Sequence, residues 1–95
     1  MKGIESIAAE RKRQIEQEGW TPEHDDTHVA GEMADAAACY ARNSVDPEDC
    51  PKPIWPWSKD WWKPKTPRED LVRAGALIAA EIDRIDRRKD QPHDQ

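Results

Sequence analysis

Phenylalanine is absent from these 95 residues, leucine occurs twice, and Ile, Leu and Val together contribute only twelve side chains. At such a low aliphatic content, hydrophobic burial barely offsets the conformational entropy that the chain loses on folding. The length allows one small domain over residues 1–95 and excludes a multi-domain architecture. We therefore expect the core to need a further contribution, from tryptophan packing, a bound ligand or a partner subunit.

Long apolar runs and a cysteine framework are also lacking. No stretch approaches the roughly 20 apolar residues that span a bilayer, and the first three residues lead into a charged amphipathic segment rather than a signal sequence. Cys39 and Cys50 lack the spacing of a zinc site, so we expect two reduced thiols. These absences predict a protein that is soluble, cytoplasmic and not bound to a membrane.

Charge and tryptophan are abundant but unevenly distributed. Residues 1–50 carry a net charge of -7 and residues 51–95 a net charge of +2. Residues 51–68 hold five basic side chains, one acidic side chain and four of the five tryptophans. The overall charge of -5 argues against binding to duplex nucleic acid, because a phosphate backbone repels an acidic protein.

Hydrophobic periodicity predicts a first helix over residues 3–18 and a second over residues 27–42. Gly19 is a typical helix-ending residue, and Pro22 prevents the first helix from continuing into the second. The second helix is rich in alanine and therefore slim. Because slim helices allow close backbone approach, we expect it to be the central helix.

The third predicted helix covers residues 67–88. Thr66 is suited to the N-cap, Pro67 to the first helical position, and Glu69 to the third position of a capping box. The polar tail, residues 89–95, is expected to fray. Five residues of the third helix recur at heptad-like steps of four and three, and these are Leu71, Gly75, Ile78, Ile82 and Ile85.

Residues 43–66 form the connection between the second and third helices. Five prolines exclude a helix or a central strand there, while the tryptophans carry too much apolar area to be left in water. We predict an all-α fold, a three-helix bundle with an ordered Trp/Pro-rich loop folded over the helices. The poor core and the unpartnered apolar stripes favour a homo-oligomer.

The candidate ligand-binding residues combine aromatic rings with cations. Indole faces stack on nucleobases, and Lys or Arg side chains pair with phosphates. The free N–H groups at the start of the third helix also favour an anion. The alternative is that the tryptophans simply complete a core that is short of Leu and Phe. The predicted set is Trp55, Trp57, Trp61, Trp62, Lys63, Lys65 and Arg68.

A second candidate site combines imidazoles with carboxylates. His24, Asp26, His28 and Glu32 offer ligand types that Zn²⁺, Mn²⁺ or iron can use. The alternative is that the aspartates cap the second helix and the histidines remain exposed.

A third candidate site consists of carboxylates on helices expected to face one another. Glu32 and Asp35 lie one helical turn apart and can hold Mg²⁺. Glu81 is surrounded by apolar neighbours in the sequence and needs a partner once buried. The alternative for Glu81 is an ion pair with one of three arginines, namely Arg11, Arg13 and Arg84.

Six segments together resemble a family of small phage and prophage proteins, and they are residues 10–14, 18–26, 31–41, 55–57, 61–64 and 70–82. The resemblance covers most of the chain but implies no activity of its own. By size and source, it places the chain beside phage anti-defence proteins, including sponges that sequester cyclic-nucleotide or ADP-ribose-type immune signals of the host. Such sponges are usually oligomers with pockets between subunits. The expected location is then the cytoplasm of the host cell.

A weaker resemblance links the chain to all-α nucleotide pyrophosphohydrolases of the MazG kind. Glu32 and Asp35 match their ExxD element, whereas the EExxE element is missing. We therefore favour a non-enzymatic protein that sequesters a nucleotide-derived ligand, without a cofactor. The alternatives are a Mg²⁺-dependent hydrolase using Glu32, Asp35 and Glu81, and a module whose Trp loop binds a host protein.

Overall fold

A computed structural model describes residues 1–47 and 53–90, and these residues fold into four α-helices without a strand. The helices are α1 (Gly3–Gln17), α2 (Pro22–Asp25), α3 (Glu32–Asn43) and α4 (Pro67–Asp90), with a 3₁₀ turn at Lys59–Trp61. The predicted all-α class is confirmed. Residues 48–52 of the predicted loop and 91–95 of the predicted tail lie outside the described residues.

The chain turns sharply between α1 and α2. Gly19 has φ 73°, a left-handed conformation that ends a helix and that glycine adopts without strain. Thr21 then caps α2, since its hydroxyl accepts a hydrogen bond from the backbone N–H of His24 at 3.3 Å. Pro22 occupies the first helical position, where its missing N–H costs nothing.

The second predicted helix begins later than its sequence pattern indicates. The prediction placed the start at residue 27, whereas α3 begins at Glu32. Gly31 directly before it has φ 83°, and residues 26–30 form turns rather than helix. A helix cannot pass through this left-handed residue, so the polar connector and α3 remain separate.

Helix α4 is the central element, because α1, α2 and α3 all pack against it. The expectation that the alanine-rich second helix would be central is therefore wrong. With 24 residues, α4 is about 36 Å long and reaches every other helix. The buried core joins α3, Trp62 and α4, and its members are Met33, Ala36, Ala37, Cys39, Tyr40, Trp62, Ala74, Leu77 and Ala80.

The core-facing side of α4 is not the heptad-like stripe. Leu77 is buried with Ala74 and Ala80, whereas Leu71 and Ile82 are 51% and 53% exposed. Small alanines let α3 approach α4 closely, so the wider isoleucine face is turned outward.

Helix α1 packs on α4 with only part of its apolar surface. Ile4 is 73% exposed, while the buried residues of α1 are Ser6 and Gln14. Gly75 of α4 lies directly against Ile7, so close that a Cβ atom there would lie 2.6 Å from Ile7 Cδ1. Helix α1 therefore crosses α4 at its glycine.

The start of α4 is fixed by a cap and a buried carboxylate. The Thr66 hydroxyl accepts a hydrogen bond from the Glu69 backbone at 3.2 Å, which confirms the predicted N-cap. The Glu69 carboxylate accepts a hydrogen bond from the Thr66 hydroxyl at 2.9 Å, whereas in a capping box it would accept one from the backbone N–H of that residue. Asp70 accepts hydrogen bonds from Asn43 Nδ2 at 3.0 Å and from the Lys65 backbone at 2.7 Å. Asp70 thus ties the end of α3 to the segment that enters α4.

Among the helices formed by the described residues, none has the length and the apolar character that crossing a membrane requires.

Candidate functional site

Trp62 belongs to the core rather than to a ligand site. Its ring stacks on the ring of Tyr40, with centroids 4.8 Å apart and planes 26° apart. The Tyr40 hydroxyl accepts hydrogen bonds from the Lys63 backbone at 3.2 Å and from Arg73 at 3.3 Å. The contacts of Trp62 therefore agree with the alternative interpretation, in which tryptophans complete the core.

The other four tryptophans line a cavity of about 430 Å³. This volume lies within the range of about 300 to 1,000 Å³ that is typical of small-molecule pockets. The cavity lies between the α1–α2 junction, α3, one residue of α4 and the segment that contains the 3₁₀ turn. The lining residues are Glu18, Gly19, Trp20, His24, Asp25, His28, Met33, Tyr40, Trp55, Trp57, Ser58, Trp61 and Leu77.

The aromatic rings of the cavity form a connected wall. Trp57 is at its centre, with ring centroids 5.5 Å from Trp55, 6.2 Å from Trp20 and 5.4 Å from His28. The planes of these pairs are 87°, 48° and 56° apart. Tilted and edge-to-face pairs are the arrangements that aromatic rings prefer, so the wall is stabilised by its own contacts.

An ion pair holds the α1–α2 junction beneath this wall. The Asp25 side chain is 3% exposed and bonds to the Arg11 guanidinium, which also donates a hydrogen bond to the Trp20 carbonyl at 3.2 Å. Burial raises the pKa of the Asp25 carboxyl, and the positive charge of Arg11 opposes that rise. Arg11 thereby fixes α2 and the backbone of Trp20 to α1.

The imidazoles and carboxylates predicted as metal ligands do not converge on one point. His28 Nδ1 lies 3.6 Å from a Glu32 carboxylate oxygen, and the His24 ring meets His28 edge-on at 5.0 Å. Asp26 instead pairs with Arg87 on α4 at 2.7 Å. Within residues 1–47 and 53–90, no three His, Cys, Asp or Glu side chains are placed to hold a metal ion.

The predicted hydrolase carboxylates are also separately engaged. Glu32 accepts a hydrogen bond from the Ala30 backbone at 2.7 Å, and backbone hydrogen bonds lower the pKa of its carboxyl. Glu81 forms two hydrogen bonds to Arg84, at 2.7 and 3.0 Å, which is one of the ion pairs that the sequence offered. Asp35 lies half-buried in the first turn of α3.

The predicted cations do not line the cavity. Arg68 donates hydrogen bonds to the Met1 carbonyl and the Ser6 hydroxyl, both at 2.9 Å, near the start of α1. Lys63 and Lys65 are exposed, and their backbone N–H groups bond to Tyr40 and Asp70. Of the predicted binding set, the three tryptophans Trp55, Trp57 and Trp61 therefore line the cavity, while Trp62 lies in the core and the cations lie outside the lining.

Several lining residues were not singled out by the sequence pattern. Trp20 lies in the polar segment between the first two predicted helices, and the sequence pattern assigns Tyr40 to the apolar face of the second. The sequence does give one indication that Trp20 is packed. An indole directly after a helix-ending glycine needs an apolar surface to pack against. Glu18 and Asp25 gave no such signal, since charged residues are common in that part of the chain.

Comparison of the chain with protein-family models, with curated proteins and with solved structures gave no match.

Proposed function

We propose that this chain is a non-enzymatic binding protein whose aromatic cavity holds the ring of a small molecule, in the first place the base of a nucleotide-derived ligand. One observation carries the proposal, which is the 430 Å³ cavity lined by four of the five tryptophans. Indole stacking contributes about 1 to 3 kcal/mol per base. A cavity with several indoles thus supplies the affinity of a ring-binding site.

The position of the cations changes how such a ligand is bound. With Lys63, Lys65 and Arg68 outside the lining, recognition rests on the ring rather than on the phosphates. Lys59 is the exposed cation nearest in sequence, since it lies in the 3₁₀ turn between the lining residues Ser58 and Trp61. In this proposal the ring enters the cavity and the phosphates remain outside it.

The resemblance to phage proteins suggests why such a ligand is bound. A small protein that holds a nucleotide-derived immune signal without converting it lowers the concentration of that signal in the cell. Cyclic dinucleotides, cyclic ADP-ribose isomers and nucleoside triphosphates are therefore the ligands to test first. This role as an anti-defence sponge is part of the proposal and rests on analogy with other small phage proteins.

Calorimetric titration against these ligands tests the proposal. Trp61 is the most exposed of the lining tryptophans, so Trp61→Ala removes a ring from the cavity with little effect on folding. Ile54→Ala is the matched control, because Ile54 is a similarly exposed apolar residue of the same segment outside the lining. We expect Trp61→Ala to weaken binding about tenfold or more and Ile54→Ala to leave it unchanged. No binding across the panel would refute the proposal.

We further propose that a second copy packs on the exposed stripe of α4. Leu71, Ile78, Ile82 and Ile85 are 40 to 53% exposed and lie on either side of Gly75, the fifth member of the stripe, against which α1 packs. Such a stripe is typical of a helix that packs on another helix. Ile82→Asp is expected to reduce the mass measured by light scattering to that of a monomer, whereas the control Val45→Asp is not.

A further inference from the structure

The charges around the cavity carry an inference about the class of ligand. Two of its thirteen lining residues are acidic, Glu18 and Asp25, and none is a lysine or an arginine. Residues 1–50, which supply most of the lining, have a net charge of -7. A negatively charged group entering this cavity would find no guanidinium or ammonium group on its walls.

The arginines that neutralise these carboxylates contact them without being part of the cavity lining. Arg13 donates a hydrogen bond to Glu18 at 2.9 Å, and Arg11 bonds to Asp25. Glu18 is a lining residue with about a third of its side chain exposed, and Arg13 bonds to one of its two carboxylate oxygens. The lining therefore combines aromatic rings with one partly exposed acidic residue and no lysine or arginine.

The arrangement of the rings points the same way. Trp57 lies 5.5 Å from Trp55 and 6.2 Å from Trp20, distances at which the rings already touch. No ring fits between them, so a ligand must rest against their cavity-facing surfaces. The face of an indole is negative, and among aromatic side chains it attracts a cation most strongly.

We propose, building on the ring-binding function above, that the cavity selects a ring that carries a positive charge. The chemical class is a cationic heteroaromatic ring, such as a pyridinium or an N-alkylated nucleobase. Its charge is attracted both by the indole faces and by the carboxylate of Glu18. A phosphate group attached to such a ring would stay outside the cavity.

Two probes of the same shape test the role of charge. 1-Methylnicotinamide carries a pyridinium charge, and 3-methylbenzamide is its neutral counterpart. We expect calorimetry to show about tenfold tighter binding of the cation. Glu18→Gln is expected to reduce this preference several-fold without changing the affinity for the neutral probe. Glu16→Gln removes the same charge from exposed α1 surface outside the lining and is expected to leave the preference intact.

The outcomes separate this inference from the proposed function. Equal affinity for the two probes, or tighter binding of the neutral one, would overturn charge selection and leave ring binding in place. If neither probe binds, charge selection is wrong. The proposed function is wrong as well only if the nucleotide panel also fails to bind.

Discussion

The guanidinium of Arg11 bonds to the buried carboxylate of Asp25, fourteen residues later in the chain, and also to the carbonyl oxygen of Trp20. The side chains of Arg11 and Asp25 are only 12% and 3% exposed. Removing one partner from a buried ion pair leaves an uncompensated charge and costs about 3 to 5 kcal/mol. This ion pair therefore supports both the fold and the cavity.

We predict that Arg11→Met lowers the free energy of unfolding by about 3 kcal/mol, measured by urea denaturation. Lys12→Met is the control, since Lys12 is exposed on the same helix and its ion pair contributes little. Adding Asp25→Asn to Arg11→Met is expected to restore part of the loss, because the unpaired charge is removed. A change below about 0.5 kcal/mol for Arg11→Met would contradict the stabilising role of this pair.

The contact between Gly75 and Ile7 predicts that the effect of Gly75→Ala on stability depends on the side chain at position 7. In an open helix, Gly→Ala stabilises by about 1 kcal/mol. Here the new Cβ atom would lie 2.6 Å from Ile7 Cδ1 and 2.8 Å from Ile7 Cγ1. We expect Gly75→Ala to be destabilising in the natural chain and stabilising by about 1 kcal/mol in an Ile7→Ala background. The same effect in both backgrounds would show that α1 does not pack on Gly75.

The lowered pKa of Glu10 predicts that the protein loses stability in acid. Burial is the largest single influence and tends to raise the pKa of Glu10, but the hydrogen bonds and positive charge of Arg13, together with Gln14 and Arg73, outweigh it and hold the pKa below its usual value of 4.5. A folded-state pKa below the unfolded value stabilises the protein above about pH 4.5, and the effect is lost as the pH falls further.

The stability difference between the natural chain and Glu10→Gln is therefore expected to be largest at pH 6 to 7 and to shrink below about pH 4.5. Urea unfolding at a series of pH values measures it. Glu16→Gln provides the control, as Glu16 is exposed and lies 3.9 Å from Lys12. A difference for Glu10→Gln that stays constant from pH 7 to pH 3 would refute the prediction.

Loss of the N-cap of α4 is expected to lower the free energy of unfolding by less than loss of the Arg11–Asp25 ion pair. Thr66 supplies a hydroxyl acceptor to the backbone N–H of Glu69, and the loss of such an N-cap costs about 1 kcal/mol. Thr66→Ala should lower stability by that amount, whereas Thr66→Ser should retain most of it. Equal loss in both variants would indicate that the methyl group, rather than the hydroxyl group, stabilises this helix end.

Local rules predicted most of the helical elements. The Gly19 helix end and the Thr66 cap depend on a few neighbouring residues, and the sequence indicated both correctly. The start of α3 was misplaced, since the pattern over residues 27–42 continues through Gly31, whose left-handed conformation interrupts the helix.

The faces of the helices could not be predicted in the same way. The heptad-like stripe of α4 is the stronger hydrophobic signal, yet Ala74, Leu77 and Ala80 form the core. Close packing of small side chains against α3 decides this, and periodicity does not show how closely two helices approach.

The sequence also predicted only part of the cavity lining. Trp55, Trp57 and Trp61 line the cavity, but Lys63 and Lys65, close to them in sequence, do not. Trp20 joins the cavity through its contact with Trp57, a residue far from it in the sequence.

The most direct test of ring binding in the cavity uses the indole N–H signals of the five tryptophans. They are followed by nitrogen-15 NMR during titration with ADP-ribose and then with a cyclic dinucleotide, and assigned through single Trp→Phe variants. We predict that the signals of Trp20, Trp55, Trp57 and Trp61 shift and saturate together, while the core residue Trp62 shifts little. A saturable shift of the Trp62 signal alone, or no shifts with either ligand, would contradict the cavity as the binding site.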